Sequence, residues 1–158
     1  MKEHAMPVTV SVNKLTVVHA SSNGTTIAFP DVCKTPSPAG PIPIPYPNIA
    51  KSSDTAQGAS TVNCDGNPVC VKDSNFSMST GDEAGSAGGG VVSNKIKGKA
   101  EFVNFSFDVK FEGKNVPRAL DLMLHNDKNT PPFPLLQGPA IAMPPTCDEV
   151  CWCCQEAL

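Results

Sequence analysis

Residues 41–47 read PIPIPYP, a proline at every second position with Ile42, Ile44 and Tyr46 between them. Each proline lacks an N–H, holds φ near −65° and pushes the residue before it toward extended geometry, which excludes helix and the interior of a sheet. The stretch must run as an extended strap. In a fully extended chain alternate side chains share a face, so Ile42, Ile44 and Tyr46 line up together. It reads either as a stiff connector or as a preformed apolar ridge, which loses little entropy when it docks on the protein's own body or on a partner.

The strap is one symptom of a wider bias, since 16 prolines and 12 glycines interrupt a chain of 158 residues. Long helices are not expected, and the length suits one domain. A net charge of −3 gives no nucleic-acid footprint and no basic membrane-binding face, so the expected partner is protein. No apolar run reaches the roughly 20 residues that span a bilayer, and MKEHAMPVTVSVNK has no secretory h-region. The expectation is a protein made and first kept in the cytoplasm. Seven cysteines, an odd number with four in TCDEVCWCC, look like reduced thiols or a metal site rather than a disulfide framework.

Short segments rich in β-branched residues and bounded by Gly, Pro, Asn or Asp point to strands: PVTVSVNKLTVV, TTIAF, STVNC, PVCVKD and EFVNFSFDVKFEG. The last predicts one long strand with Phe105, Phe107, Val109 and Phe111 on one face. PRALDLMLHN (117–126) reads as a short helical segment or a strand end. GDEAGSAGGG (81–90) reads as a flexible loop or a place where backbones approach closely. The fold class expected is mostly β, tied together by extended proline-rich segments.

NGTTIAFPDVC (23–33), DGNPVCVKDSN (65–75) and EGKNVPRALDL (112–122) each begin with a polar residue and glycine, run through an extended stretch and reach an aspartate. Each reads as a tight turn, a strand and an Asp-stabilised bend. Three units too small to bury a face alone predict pseudo-threefold packing around a shared core.

No G-x-S-x-G elbow and no G-x-x-x-x-G-K-[ST] loop is present, and no nucleophile, histidine and acid form a familiar catalytic spacing. The expectation is a protein that is not an enzyme. Metal binding has more support: Cys33 lies two residues after Asp31, His125 four after Asp121, and His19 ends the first strand region, so stacked repeats would bring them together as an N/S zinc site. The alternative is a buried thiol and hydrogen-bonded imidazoles. Cys147, Cys151, Cys153 and Cys154 form a second thiol cluster without standard zinc spacing. They read as a second site, or as free or oxidised thiols. Other readings are a metal-dependent toxin or enzyme, and a metal- or redox-binding β protein using these C-terminal thiols.

AFPDVCKTPSPAGPIPIPYPNIAKSSDT, NCDGNPVCVKDSNFSMSTGDEAGSAGGGVVS and KGKAEFVNFSFDVKFEGKNVPRALDLMLHN together resemble the PAAR-like domains of the Tox-PAAR-like family. The resemblance covers residues 11–137, leaving residues 1–10 as a lead-in and 138–158 as a Pro- and Cys-rich tail. It implies a small cone-shaped β fold that caps the trimeric VgrG spike of a type VI secretion system and carries or recruits an effector, adaptor or immunity protein. Secretion would then go through that machine, without a signal peptide. It also implies apex zinc, carried onto Cys33, His125 and His19. The strap residues Ile42, Ile44 and Tyr46 would brace the cone or contact the spike. The sequence departs from the family pattern at Ala87 and Gly88, where many members have a histidine before the glycines.

Overall fold

A computed structural model describes residues 7–141. The four C-terminal cysteines of the expected second thiol cluster lie outside the described residues. The chain is mostly β and built from short strands: β1 (Ser11–Val12), β2 (Leu15–Thr16), β3 (Thr25–Thr35), β4 (Ile42–Lys51), β5 (Thr55–Ala56), β6 (Asn63–Cys64), β7 (Asn67–Pro68) and β8 (Asn75–Phe76). β9 (Ser79–Thr80), β10 (Gly89–Gly90), β11 (Ala100–Phe102), β12 (Lys110–Phe111), β13 (Lys114–Asn115), β14 (Leu122–Leu124) and β15 (Phe133–Pro134) follow. The proline and glycine content explains the brevity, because each interruption removes a donor or costs backbone entropy.

Three two-stranded hairpins, β1–β2, β6–β7 and β12–β13, have the same form: two residues, a two-residue turn, two residues. Both turn residues have positive φ in every case, at Asn13 (52°) and Lys14 (71°), Asp65 (52°) and Gly66 (79°), and Glu112 (55°) and Gly113 (76°). Turns of this primed kind match the right-handed twist of paired strands. The hairpins share one core. Val17, Val69 and Val116, each four residues after the first residue of its turn, are fully buried in a single cluster with Val8, Val12, Cys64 and Val71. Val10, Val62 and Val109, each three residues before its turn, pack against it.

The pseudo-threefold repeat therefore exists, with one correction. DGNPV and EGKNV begin two of the units, but the third begins at Asn13–Lys14 rather than at Asn23–Gly24. Lys14 adopts the left-handed conformation without being glycine, so the glycine signal pointed ten residues too far along. Each unit continues alike. The amides of His19, Val71 and Arg118 are capped by the side chains of Ser22, Ser74 and Asp121, three residues on.

The long β3–β4 hairpin forms a sheet of order β10-β3-β4-β9, and β15-β14-β11-β8-β5 form a second. Phe76 and Phe102 meet edge to face at 5.8 Å in the second cluster, with Val18, Cys70, Met123 and Leu135. The proline strap is a true strand. Its residues from Ile42 to Tyr46 pair with β3 from Asp31 to Thr35, and β9 pairs only with Ile49 and Ala50. Alternate residues of a strand send their N–H groups to opposite edges, so Pro43, Pro45 and Pro47 occupy the edge that no strand covers.

The single strand expected over 101–113 is broken: β11 ends at Phe102, Ser106 is buried, and Phe107 is 94% exposed. Ser106 turns the chain by accepting the N–H of Val109, so the alternating phenylalanines do not share a buried face. Residues 122–124 of the ambiguous segment are strand. Val8 is fully buried, while Pro139 and Ala140 accept hydrogen bonds from Thr16, so residues outside 11–137 also pack with the body.

Candidate functional site

Two constellations stand out: a ring of polar bonds joining the three hairpins, and a buried polar centre under β3.

In the ring, the first turn residue of each hairpin is bonded to the residue four positions before the turn of another. Asp65 accepts the N–H of Thr9 at 2.9 Å and also its hydroxyl. Glu112 accepts the N–H and hydroxyl of Thr61, each at 2.5 Å. Asn13 donates through Nδ2 to Asp108 at 3.1 Å, so the acid and its donor exchange places in the third link. His19 and Arg118, each six residues after the start of its turn, extend the same order. His19 Nε2 reaches Asp65 at 3.1 Å, and Arg118 reaches Asn13 Oδ1 at 3.1 Å.

The acids respond accordingly. Hydrogen bonds from Thr61 bring Glu112 down to about 2, and those from Asn13 and Ser106 lower Asp108. Burial raises Asp65, but its bonds from Thr9 and His19 outweigh that and leave it below the ordinary value. The links join the first hairpin to the second, the second to the third and the third back to the first. One chain thereby has three similar sides.

The second constellation gathers Asp31, Cys33 and Asp82, all buried, with one ligand-type atom from each within 4.8 Å of the others. The thiol of Cys33 points at Asp31 (3.6 Å) and Asp82 (3.9 Å). Burial, reinforced by the two carboxylates, pushes it up to about 12. Burial and the neighbouring Asp31 raise Asp82, whose two oxygens accept the N–H of Lys97 at 3.0 and 3.2 Å.

Asp31 is surrounded by amides. Asn48 Nδ2 donates to its Oδ2 at 3.0 Å, and Asn126 Nδ2 at 3.4 Å and Asn129 Nδ2 approach its Oδ1. The glycine-rich segment permits this. A Cβ on Gly90 would overlap Asn129, one on Gly85 would overlap Cys33, and one on Gly98 would stand 2.6 Å from Asn126 Oδ1. Close backbone approach is the reason for GDEAGSAGGG.

The zinc ligands expected from the sequence are not brought together. His19 lies in the ring, its Nε2 on Asp65 and its Nδ1 accepting the N–H of Ser21 at 3.1 Å. His125 is fully buried with Nε2 on Thr26 at 3.1 Å and Nδ1 without a partner, and burial lowers it to about 4. Cys33 alone of the three joins the buried centre. Sequence reasoning missed Asp82 and the three asparagines. The D-x-C pair at 31–33 was the available signal, while nothing local marks residues 82, 126 and 129 as its partners.

Asp31, Cys33 and Asp82 are one set of metal-type ligands, but the Asp31 lone pairs that a metal would need already face amide hydrogens. On the strap, Ile44 and Tyr46 are half-buried, Tyr46 sharing a 2.6 Å hydrogen bond with Thr35, and Ile42 is exposed.

A family described as toxin PAAR-like domain matches residues 24–132. The chain is 45% identical over 138 residues to the DNase toxin Tse7 of Pseudomonas aeruginosa PAO1, an alignment covering 80% of this chain and 36% of that protein. The chain thus spans little more than a third of its curated relative. No solved structure matches it. The relative corrects one expectation. The sequence predicted a protein that is not an enzyme, and a DNase toxin is an enzyme. None of the familiar catalytic spacings occurs in this chain, which aligns with 36% of that relative.

Proposed function

This chain belongs to the toxin PAAR-like domain family, and from that premise we propose that it is the spike-tip and delivery part of a type VI secretion toxin, capping the trimeric VgrG spike. The observation that carries this reading is the ring through Thr9–Asp65, Thr61–Glu112 and Asn13–Asp108. A monomer with three look-alike sides offers a three-chain partner the same contact three times, which removes the symmetry mismatch. The protein would wait in the cytoplasm and leave with the spike when the machine fires. No helix among the described residues is long and apolar enough to cross a membrane, in keeping with passage as cargo. Zinc is not part of this reading, since Asp31 already faces three amide donors.

The DNase name of the relative supports a toxin cargo, and makes DNA cleavage the first activity to assay in the whole protein. Co-expression with VgrG tests the cap. One copy should co-purify with each VgrG trimer, and a chain that never associates with the trimer removes the reading. Incubating the whole protein with plasmid DNA tests the cargo separately. Intact plasmid alongside a stable cap would dismiss the nuclease and leave the cap standing.

A further inference from the structure

We propose that Asp31 is held by a cage of three carboxamides beside the Cys33 thiol, and that this cage joins the separate segments of the protein without a metal ion, in place of the zinc implied by resemblance.

The orientation of each amide is fixed by its other bonds. Asn126 Oδ1 accepts the N–H of Gly98 at 2.9 Å, which turns Nδ2 toward Asp31 and the carbonyl of Lys95, 2.7 Å away. Asn129 Oδ1 accepts the N–H of Val92 at 2.8 Å and of Ser93 at 3.3 Å, so its Nδ2 faces Asp31 and the carbonyl of Val32 at 3.1 Å. Ser79 gives its hydroxyl hydrogen to the carbonyl of Gly98 at 2.5 Å. Its oxygen is left to accept Asn48 Nδ2 at 2.8 Å, and that group also donates to Asp31.

All three amides therefore present hydrogens to one carboxylate, whose two oxygens are both engaged. A cation approaching Asp31 meets the positive ends of three dipoles, with the Cys33 thiol 3.6 Å from Asp31 and Asp82 beside it as the remaining lone-pair donors. Turning Asn126 or Asn129 to offer oxygen instead breaks bonds to the backbone at Gly98 or at Val92 and Ser93, and turning Asn48, whose Oδ1 has no partner, breaks its bond to the Ser79 hydroxyl. A buried donor or acceptor left unmade costs more than the bond itself contributes.

The cage does mechanically what a structural metal does elsewhere. Asp31 is on β3, Asn48 on β4, and Asn126 and Asn129 follow β14. Through their oxygens the last two also hold the segment from Val92 to Gly98. Three stretches of the chain meet at one carboxylate, and a fourth is held to it through the asparagine oxygens. Glycines at 90 and 98 let that backbone come close enough.

The intact protein, purified without chelator, is tested by elemental analysis and by titration with zinc chloride while the side-chain amide signals of Asn48, Asn126 and Asn129 are followed by NMR. The expected result is no stoichiometric metal, three exchange-protected amide pairs that zinc does not shift, and a melting temperature unmoved by EDTA. One zinc per chain that disappears in Cys33→Ser, or a melting temperature that falls with EDTA, overturns the proposal. Asn129→Asp replaces an amide donor by a carboxylate. Zinc should raise the melting temperature of this variant while leaving the wild type unchanged, and a wild type that responds as the variant does also overturns the cage.

Discussion

Glu112 accepts both the backbone N–H and the hydroxyl of Thr61 at 2.5 Å, although the two residues lie 51 apart in sequence. The same double acceptance joins Asp65 to Thr9, and the pair Asn13 and Asp108 repeats the link with donor and acid exchanged. These bonds connect the tips of three hairpins whose shared core is small, so they contribute to closing the ring as well as to each hairpin.

Removing one link should therefore loosen more than its own turn. Glu112→Ala is expected to lower the melting temperature and to raise amide exchange at Val62 and Val69 of the neighbouring unit. Lys110→Ala, on an exposed position of the same hairpin, should do neither. Exchange confined to residues 110–115 in the glutamate variant would show that the ring does not couple the units.

Acid should open the ring. The folded pKa of Glu112 is about 2, below the ordinary 4.5, so its contribution is fully present above pH 4.5 and is lost as the pH falls toward 2. The difference in stability between wild type and Glu112→Gln should be constant from pH 5 to 7 and shrink toward zero near pH 2. Comparing the two proteins cancels the opposite trend of Asp82, whose pKa is raised. A difference that grows on acidification would contradict the assignment.

Two glycine substitutions should separate packing from backbone strain. Gly90→Ala drives a methyl group into Asn129 and should cost about 1–3 kcal/mol, the usual penalty for overpacking a fitted interior. Gly66→Ala meets no atom within 4 Å, but must hold a φ of 79°, and should cost about 1–2 kcal/mol from strain alone. Urea denaturation reads both. Only the first should release the amides of Val92 and Ser93 to exchange.

Restoring donors to the strap should make its edge adhesive. Pro43, Pro45 and Pro47 are exposed on the side of β4 that no strand covers, and an open edge with free N–H groups is a template for pairing. Replacing all three by threonine should leave a folded protein that self-associates in light scattering. A variant that stays monomeric at high concentration would mean that the prolines do not guard this edge.

The class of fold and its local grammar are legible in the residues themselves. Frequent prolines and glycines cut the strands short, PIPIPYP could only run extended, and Asp65–Gly66 and Glu112–Gly113 announced two tight turns, because each of these depends on φ restrictions within a few residues. The residues misplace the start of the first unit, because Lys14 takes a left-handed conformation that its side chain does not advertise, and 101–113 reads as one strand because Phe alternation ignores the turn made by Ser106. What surrounds Asp31 follows from long-range packing. Its partners Asn126 and Asn129 lie 95 and 98 residues away, and Cys33, which a sequence reader pairs with histidines, faces carboxylates instead. Local residue types dictate backbone geometry. Which distant side chains share a buried site depends on how the β3–β4 ribbon and the glycine-bearing segment close on one another, and that is a property of the packed chain.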